Sequence, residues 1–256
     1  MSIKLDTIKA VDRVEWCFLK KMMLALGFHS DFVNLIYRCI LTVSYSFLLN
    51  RHQFGHLKPQ RGVWQGDPVS SYLFLICAEA FSCLLQEADH CGNISGVRAR
   101  VAGPKISHLL FADDILLFGK ATLREAQYIE SILQLYKSAW GQEINLDKSA
   151  LVFGSNTDSK VWHSITNYLG IKEVATHDKY LGLPTIIGRS KSAVFSSIKD
   201  RIWQKIHDWN EHRLSRARKE VMIKAVVQAI PTYSMSCFKY PDSLLNDIQS
   251  MISDFW

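Results

Sequence analysis

Leu109-Leu110-Phe111-Ala112-Asp113-Asp114-Ile115-Leu116-Leu117-Phe118 decides the reading of this chain. Two apolar runs, 106–111 and 115–118, flank Ala112-Asp113-Asp114, the pattern of a hairpin of buried strands with acids at its tip. One Asp in a turn is ordinary, because its side chain bonds the local backbone. Two in succession repel each other while ionised. Rigid strands would present them at one fixed edge. A divalent cation there removes the repulsion, and carboxylate oxygens suit Mg²⁺ or Mn²⁺. A third acid at the end of another strand would complete a two-metal site, and Asp6, which closes Ile3-Lys4-Leu5, is placed for it. An ordinary pair of turn aspartates with a helix-capping Asp6 is the alternative at this level.

Outward from the hairpin, Val14, Phe18, Met22 and Leu26 have helical spacing, and Gly27 ends the helix. Ser30 caps a second predicted helix with Phe32, Val33, Ile36 and Ile40 inward. β-branched and aromatic residues predict a strand over 42–49, and Gly55, Pro59 and Gly62 make 54–62 a turn-rich return. Residues 70–88 predict a largely buried helix, and 122–139 a helix with Glu125, Glu130 and Lys137 facing out. Two short strands near 143–146 and 150–153 follow, then a hairpin-like run over 180–187. After Gly188 only helical patterns remain. Val194, Ile198, Ile202, Ile206 and Trp209 form one stripe; Val221, Met222, Ala225, Val226 and Ala229 form another, closed by Pro231. The expected fold class is α+β, with an antiparallel sheet and packed helices over 1–188 and a helical segment over 189–256. Trp16, Trp203 and Trp209 are expected in the core rather than as stacking platforms for bases.

With 48% apolar and 21% charged residues among 256, the chain affords a real core, which excludes wholesale disorder. Residues 1–6 lack a signal-peptide core, and charge interrupts the apolar stretches before about 18 residues, so neither secretion nor a membrane helix is expected. Location inside the cell follows as an expectation. Cys17, Cys39, Cys77, Cys83, Cys91 and Cys237 contain no C-x-x-C pair and read as buried free thiols. His52 and His56 have no partner pair for zinc. The net charge of +6 is concentrated: residues 189–224 hold ten Lys/Arg against four Asp/Glu, and the rest of the chain balances. Such a segment tracks a phosphate backbone or simply solvates a helix surface.

Five motifs in order resemble those of reverse transcriptases. Phe111-Ala112-Asp113-Asp114 is similar to the FADD or YADD box. Asp6-x-x-x-Ala10-x-Asp12-Arg13-Val14 resembles the first catalytic motif. Arg61-Gly62-Val63-Trp64-Gln65-Gly66-Asp67-Pro68-Val69-Ser70-Ser71 resembles R-G-x-x-Q-G-D-P-x-S-P. Gly141-Gln142-x-Ile144-Asn145-x-x-Lys148-Ser149 resembles the fourth motif, and Tyr180-Leu181-Gly182-Leu183-Pro184 the primer grip. The stretches from Gly188 and Ser215 are similar to those of plant LINE-type elements, retrotransposons without long terminal repeats. The resemblance implies a polymerase palm followed by a helical thumb, with the fingers largely missing and the chain truncated at its N-terminus. It implies an RNA-directed DNA polymerase that joins a dNTP to a primer 3′-hydroxyl on an RNA template. Asp6, Asp113 and Asp114 would hold two Mg²⁺ ions, with Mn²⁺ as a substitute, and Lys148 would protonate the leaving group. Val11, Gln65 and Gly66 would line the nucleotide pocket, and Tyr180, Leu181, Gly182 and Leu183 would hold the primer. Arg189, Lys191, Lys199, Arg213, Arg216, Arg218 and Lys219 would grip the nucleic acid. Asp12 is expected to play a structural part, pairing with Arg13 or capping a helix.

Three departures from the family pattern bear on activity. No fingers or endonuclease segment precedes Asp6, so such parts would come from a larger polyprotein. Val11 stands where a Tyr or Phe usually excludes a 2′-hydroxyl, which predicts weakened rejection of ribonucleotides. Trp64 replaces a residue that is often Arg, and Ser71 replaces the usual Pro. The alternative that follows is a non-catalytic nucleic-acid-binding remnant of a retroelement.

Overall fold

The computed structural model describes residues 1–177, 179–185, 191–210 and 214–256, leaving out the side chains of 191–193 and 210. The chain divides into two compact units, Met1–His177 and Asp178–Trp256. The division falls ahead of the boundary expected at Gly188.

In the first unit, β1 (Ser2–Thr7) leads through a short 3-10 turn (Val11–Arg13) into α1 (Trp16–Ala25) and α2 (Ser30–Leu41). A two-stranded ribbon, β2 (Tyr45–Leu49) and β3 (His52–Leu57), precedes the long α3 (Pro68–His90). A small hairpin, β4 (Val97–Arg98) and β5 (Lys105–Ile106), leads to β6 (His108–Phe111) and β7 (Asp114–Phe118). Then follow α4 (Leu123–Trp140), β8 (Ile144–Val152), α5 (Ser159–Leu169) and β9 (Lys172–Glu173). The central sheet has the order β6-β7-β1-β8-β9, antiparallel except for the β8–β9 pair. Strand alternation sorts its residues. Ile3 and Leu5 of β1, Ile115 and Leu117 of β7 and Leu151 of β8 are buried in one core with the inner faces of α1, α3 and α4. Ser2, Lys4 and Asp6 alternate with them and are only half-buried.

The second unit holds the hairpin β10 (Lys179–Tyr180) and β11 (Leu183–Pro184), then α6 (Lys191–Asn210), α7 (Arg216–Met222), α8 (Ala229–Cys237) and α9 (Asp242–Phe255). Its own core gathers Phe195, Ile202, Ile206, Val227, Tyr240, Leu244 and Phe255.

Several local expectations are corrected. Residues 52–57 form a strand, because a ribbon tolerates Gly55 at φ 71. The two strands expected around 143–153 are one, β8, carrying an irregularity opposite Lys4 and Asp6. Of the expected inner face of α2 only Val33 is buried, and Phe32 lies exposed. Pro231 does not close a helix: it falls in the first turn of α8, where its missing N–H costs no helical bond, just after a π turn at Ile223–Val227, and α8 continues past it. Among the cysteines only Cys77 is buried, its thiol pushed up to about 12 by desolvation; the other five sit on outward faces. Trp203 is exposed and stacked on His207, whereas Trp16 is buried. Contrary to expectation, α3 is long and apolar enough to cross a membrane by length and composition. Its Leu73, Phe74, Cys77, Phe81 and Leu85 pack into the core, which is the place of a core helix.

Glu125 is the largest error of the helical pattern. It is 7% exposed, not solvated. Its carboxylate accepts from Ser95 N (3.1 Å), Ser95 Oγ (2.5 Å) and Lys120 N (2.9 Å), while Thr122 Oγ1 accepts from Glu125 N at 3.3 Å. Thr122-x-x-Glu125 is a capping-box spacing, and that signal marks it in the sequence.

Candidate active site

The β6–β7 hairpin turns through Ala112 and Asp113, with Phe111 opposite Asp114. Ala112 takes φ 51, a left-handed conformation that costs an alanine about 1–2 kcal/mol. Asp114 is the first residue of β7 and the register partner of Asp6 on β1, so the two carboxylates leave adjacent strands on the same face. Asp113 lies at the tip, its carbonyl accepting from Thr7 Oγ1 at 3.4 Å. The irregularity in β8 leaves Asp6 N facing the Ser149 hydroxyl (3.3 Å), which itself donates to Asn145 O (2.7 Å). Two positions of the fourth motif thereby fix the backbone at Asp6.

Among the described residues no three His, Cys, Asp or Glu side chains are gathered closely enough to hold a metal ion. Lysines engage two of the carboxylates instead: Lys4 Nζ is 3.7 Å from Asp114 Oδ1 and Lys148 Nζ 3.8 Å from Asp6 Oδ2. The donor set still suits a hard cation in kind, three carboxylates on two adjoining strands and their turn.

Beside the hairpin tip opens a cavity of about 700 Å³. Asp113, Val11, Gln65 and Gly66 all line it, so sequence positions far apart meet at one wall. Its floor is the Ala10–Val14 turn, clamped from two sides. On one side, Gly62 N donates to Val14 O (2.8 Å) and Val63 N to Val11 O (3.0 Å), while Trp16 Nε1 donates to Gly62 O (2.7 Å). On the other, buried Gln142 donates to Ala10 O (2.7 Å), and Arg13 Nε donates to Gly141 O (3.0 Å). Arg13 also pairs with Glu143 at 2.7 Å. Arg13 is thus not the partner of Asp12, which lies exposed on the cavity wall. Glycine is required at 62, where a Cβ would lie 2.5 Å from Asp12 O.

Trp64 and Ser71, expected beside the nucleotide pocket, both line this cavity. Trp64 is half exposed, with its ring 5.0 Å from that of Tyr45. Sequence reading missed Lys4, although the i, i+2 spacing to Asp6 on a strand was legible.

In the second unit, Tyr180 and Leu183 are register partners around Leu181 (φ 52) and Gly182 (φ 75), a tight two-residue turn. Lys199 pairs with Asp247 at 2.6 Å. Lys219 donates to Phe255 O (2.7 Å) and lies over the Phe255 ring, closing the C-terminus of α9. Arg216 and Arg218 are exposed and have no ion pair among the described residues. Arg189, Arg213 and the side chain of Lys191 lie outside the described residues.

Residues 1–173 match the family described as reverse transcriptase (RNA-dependent DNA polymerase). The chain belongs to that family. Among curated relatives, this reverse transcriptase chain is 24% identical over 257 residues to an uncharacterized 149 kDa protein of transposon TX1 from Xenopus laevis, covering 99% of itself and 19% of that protein. It is 46% identical over 68 residues to an uncharacterized mitochondrial protein of Arabidopsis thaliana, covering 27% of itself and 56% of that protein. The chain thus spans about half of one relative and a fifth of the other. A solved telomerase structure from Candida albicans, in complex with a fragment of telomeric RNA, has a similar fold. It has a TM-score of 0.50 at 14% identity, over 99% of this chain and 40% of that one.

Proposed function

We propose that this chain is the RNA-directed DNA polymerase segment of a plant LINE-type retroelement, acting inside the cell as part of a larger polyprotein. In this reading residues 1–188 are the palm and 189–256 the thumb. The observation that carries it is the meeting of Asp113 with Val11, Gln65 and Gly66 at one cavity, beside the Asp6–Asp114 register pair.

The reaction joins the primer 3′-oxygen to the α-phosphorus of a dNTP and releases pyrophosphate. Asp6, Asp113 and Asp114 would hold two Mg²⁺ ions, which supply a lowered pKa for the 3′-hydroxyl and charge stabilisation for the pyrophosphate. The remaining work falls to the chain. Gln65 and the side-chain-free Gly66 bound the nucleotide, and Val11 contacts its sugar. Lys148, 70% exposed at its side chain, has the freedom to leave Asp6 and deliver a proton to the departing pyrophosphate. Tyr180 to Leu183 hold the primer end, and Arg216 and Arg218 contact backbone phosphates.

Primer extension tests this. The purified chain receives an RNA template, a DNA primer, dNTPs and Mg²⁺ or Mn²⁺, with Asp113→Ala alongside. Extension that disappears in the variant supports a working polymerase. Salt-sensitive duplex binding without extension supports the second reading, a binding remnant, favoured by the lysine-engaged carboxylates. Neither extension nor duplex binding refutes both.

A further inference from the structure

Lys4 occupies a position that the polymerase reading does not use. It lies two residues before Asp6 on β1, hence on the same face of the sheet, and its partner across β7 is Leu116, one same-face step from Asp114. Its ammonium approaches Asp114 at 3.7 Å, too long for a hydrogen bond and therefore a charge contact. Lys148 approaches Asp6 in the same way at 3.8 Å. The Asp6–Asp114 pair is thus compensated from both sides. The two lysines differ in freedom. Lys148 is 70% exposed at its side chain, whereas Lys4 is 26% exposed and sits on a strand hydrogen-bonded on both edges.

We propose that Lys4 is the resident counter-ion of this carboxylate pair, holding Asp114 until a divalent cation displaces it, and that its charge sets how tightly the site takes that cation. The inference rests on the polymerase reading of the three aspartates. Lysine suits the part: a point charge on a flexible stem exchanges partners without backbone movement, where a forked guanidinium would hold the carboxylate through two bonds. Anchored in the sheet, Lys4 cannot withdraw far. After displacement its charge still opposes the incoming cation.

The test is Mn²⁺ binding to the full chain without nucleic acid, read as free Mn²⁺ by electron paramagnetic resonance. Wild type, Lys4→Met, Lys4→Gln, Lys4→Arg and Asp114→Asn are compared at low and high salt, each checked for folding by circular dichroism. Removing one charge at this range tightens Mn²⁺ binding on the order of tenfold at low salt, and the gain shrinks as salt is added. Lys4→Gln behaves as Lys4→Met does and serves in its place should the latter fail to fold. Lys4→Arg, which keeps the charge and can hold Asp114 through two bonds, binds Mn²⁺ no more tightly than wild type. Wild-type affinity in both neutral variants, with binding weakened by Asp114→Asn, overturns the proposal about Lys4 and leaves the polymerase reading standing. Absence of Mn²⁺ binding in every chain at millimolar concentration overturns both.

Discussion

Gly62→Ala tests whether the cavity floor is held by close backbone approach. Gly62 sits at φ +84, where an alanine costs about 1–2 kcal/mol. Its new Cβ would lie 2.5 Å from Asp12 O and 2.9 Å from Asp12 C, atoms of a turn that cannot rotate away. Relief requires the 61–63 segment to move off the Ala10–Val14 turn, which stretches the Gly62–Val14 and Val63–Val11 hydrogen bonds, each worth about 1 kcal/mol. The sum is about 3–4 kcal/mol. At about 2–4 °C per kcal/mol for a unit of this size, Tm of the first unit falls by roughly 6–16 °C. Gly27→Ala is the control, since Gly27 has φ +87 but nothing within 4 Å of its Cβ. It should lose only the conformational part, about 1–2 kcal/mol. Thermal unfolding by circular dichroism measures both, and dNTP binding to Gly62→Ala should weaken because Val11 shifts. Equal losses in the two variants would refute the close-approach argument.

Four further expectations follow. Glu125→Ala strands three donors that now meet one carboxylate and should cost about 3 kcal/mol, whereas Glu125→Gln should cost less; urea unfolding decides, and an Ala variant as stable as wild type rejects the clamp. Val11→Tyr should raise deoxy-over-ribonucleotide preference on the order of tenfold in binding or incorporation, and an unchanged ratio removes Val11 from the sugar site. Ser149→Ala should destabilise by about 1–2 kcal/mol and, more tellingly, weaken Mn²⁺ binding by displacing Asp6; a stability loss with unaltered binding would confine Ser149 to the fold. His108 is shifted down by burial, against the opposing charges of Glu79 and Asp89, with Ser82 and Ser107 hydroxyls on its two ring nitrogens. Its folded pKa is depressed, so its contribution is complete above the unfolded value of about 6.5 and is lost as pH falls from there through the folded pKa. His108→Gln should flatten the stability profile over that acid window, and an unchanged slope would exclude His108 as its source.

The hairpin was legible in the sequence because its signal is local: two apolar runs of strand length with a polar break. The same holds for α1, α4 and the turn at Leu181-Gly182. Period alone failed where a side chain's partner comes from a distant segment. Glu125 follows the solvent-facing spacing of α4, yet its partners Ser95 and Lys120 arrive from the turn after α3 and from the end of β7. Likewise α2 has an apolar stripe by spacing, but only Val33 is buried, Ile36 and Ile40 pack at the core's edge, and Phe32 is exposed. The exposed cysteines fail for a related reason: apolar neighbours in sequence are not neighbours in space on a helix.

For the site the divide is sharper. The aspartates announced themselves by charge repulsion, and Gln65 and Gly66 by resemblance. The turn they meet at is held by main-chain bonds from Gly62 and Val63 on one side and by side-chain bonds, Gln142 to Ala10 O and Arg13 to Gly141 O, on the other. Main-chain contacts leave little trace in residue type except where a Cβ is forbidden. Among the main-chain approaches, Gly62 is the position where the sequence carries that record, since a Cβ there would lie 2.5 Å from Asp12 O; at Gly141 the approach is looser, 3.1 Å from Arg13 O. The catalytic motifs then read as two kinds of residue interleaved. On the proposed reading Asp6, Asp113 and Gln65 face the chemistry, while Gly62, Gly141 and Gln142 hold the neighbouring turn. Damage to the second kind should abolish nucleotide binding while leaving every acid in place.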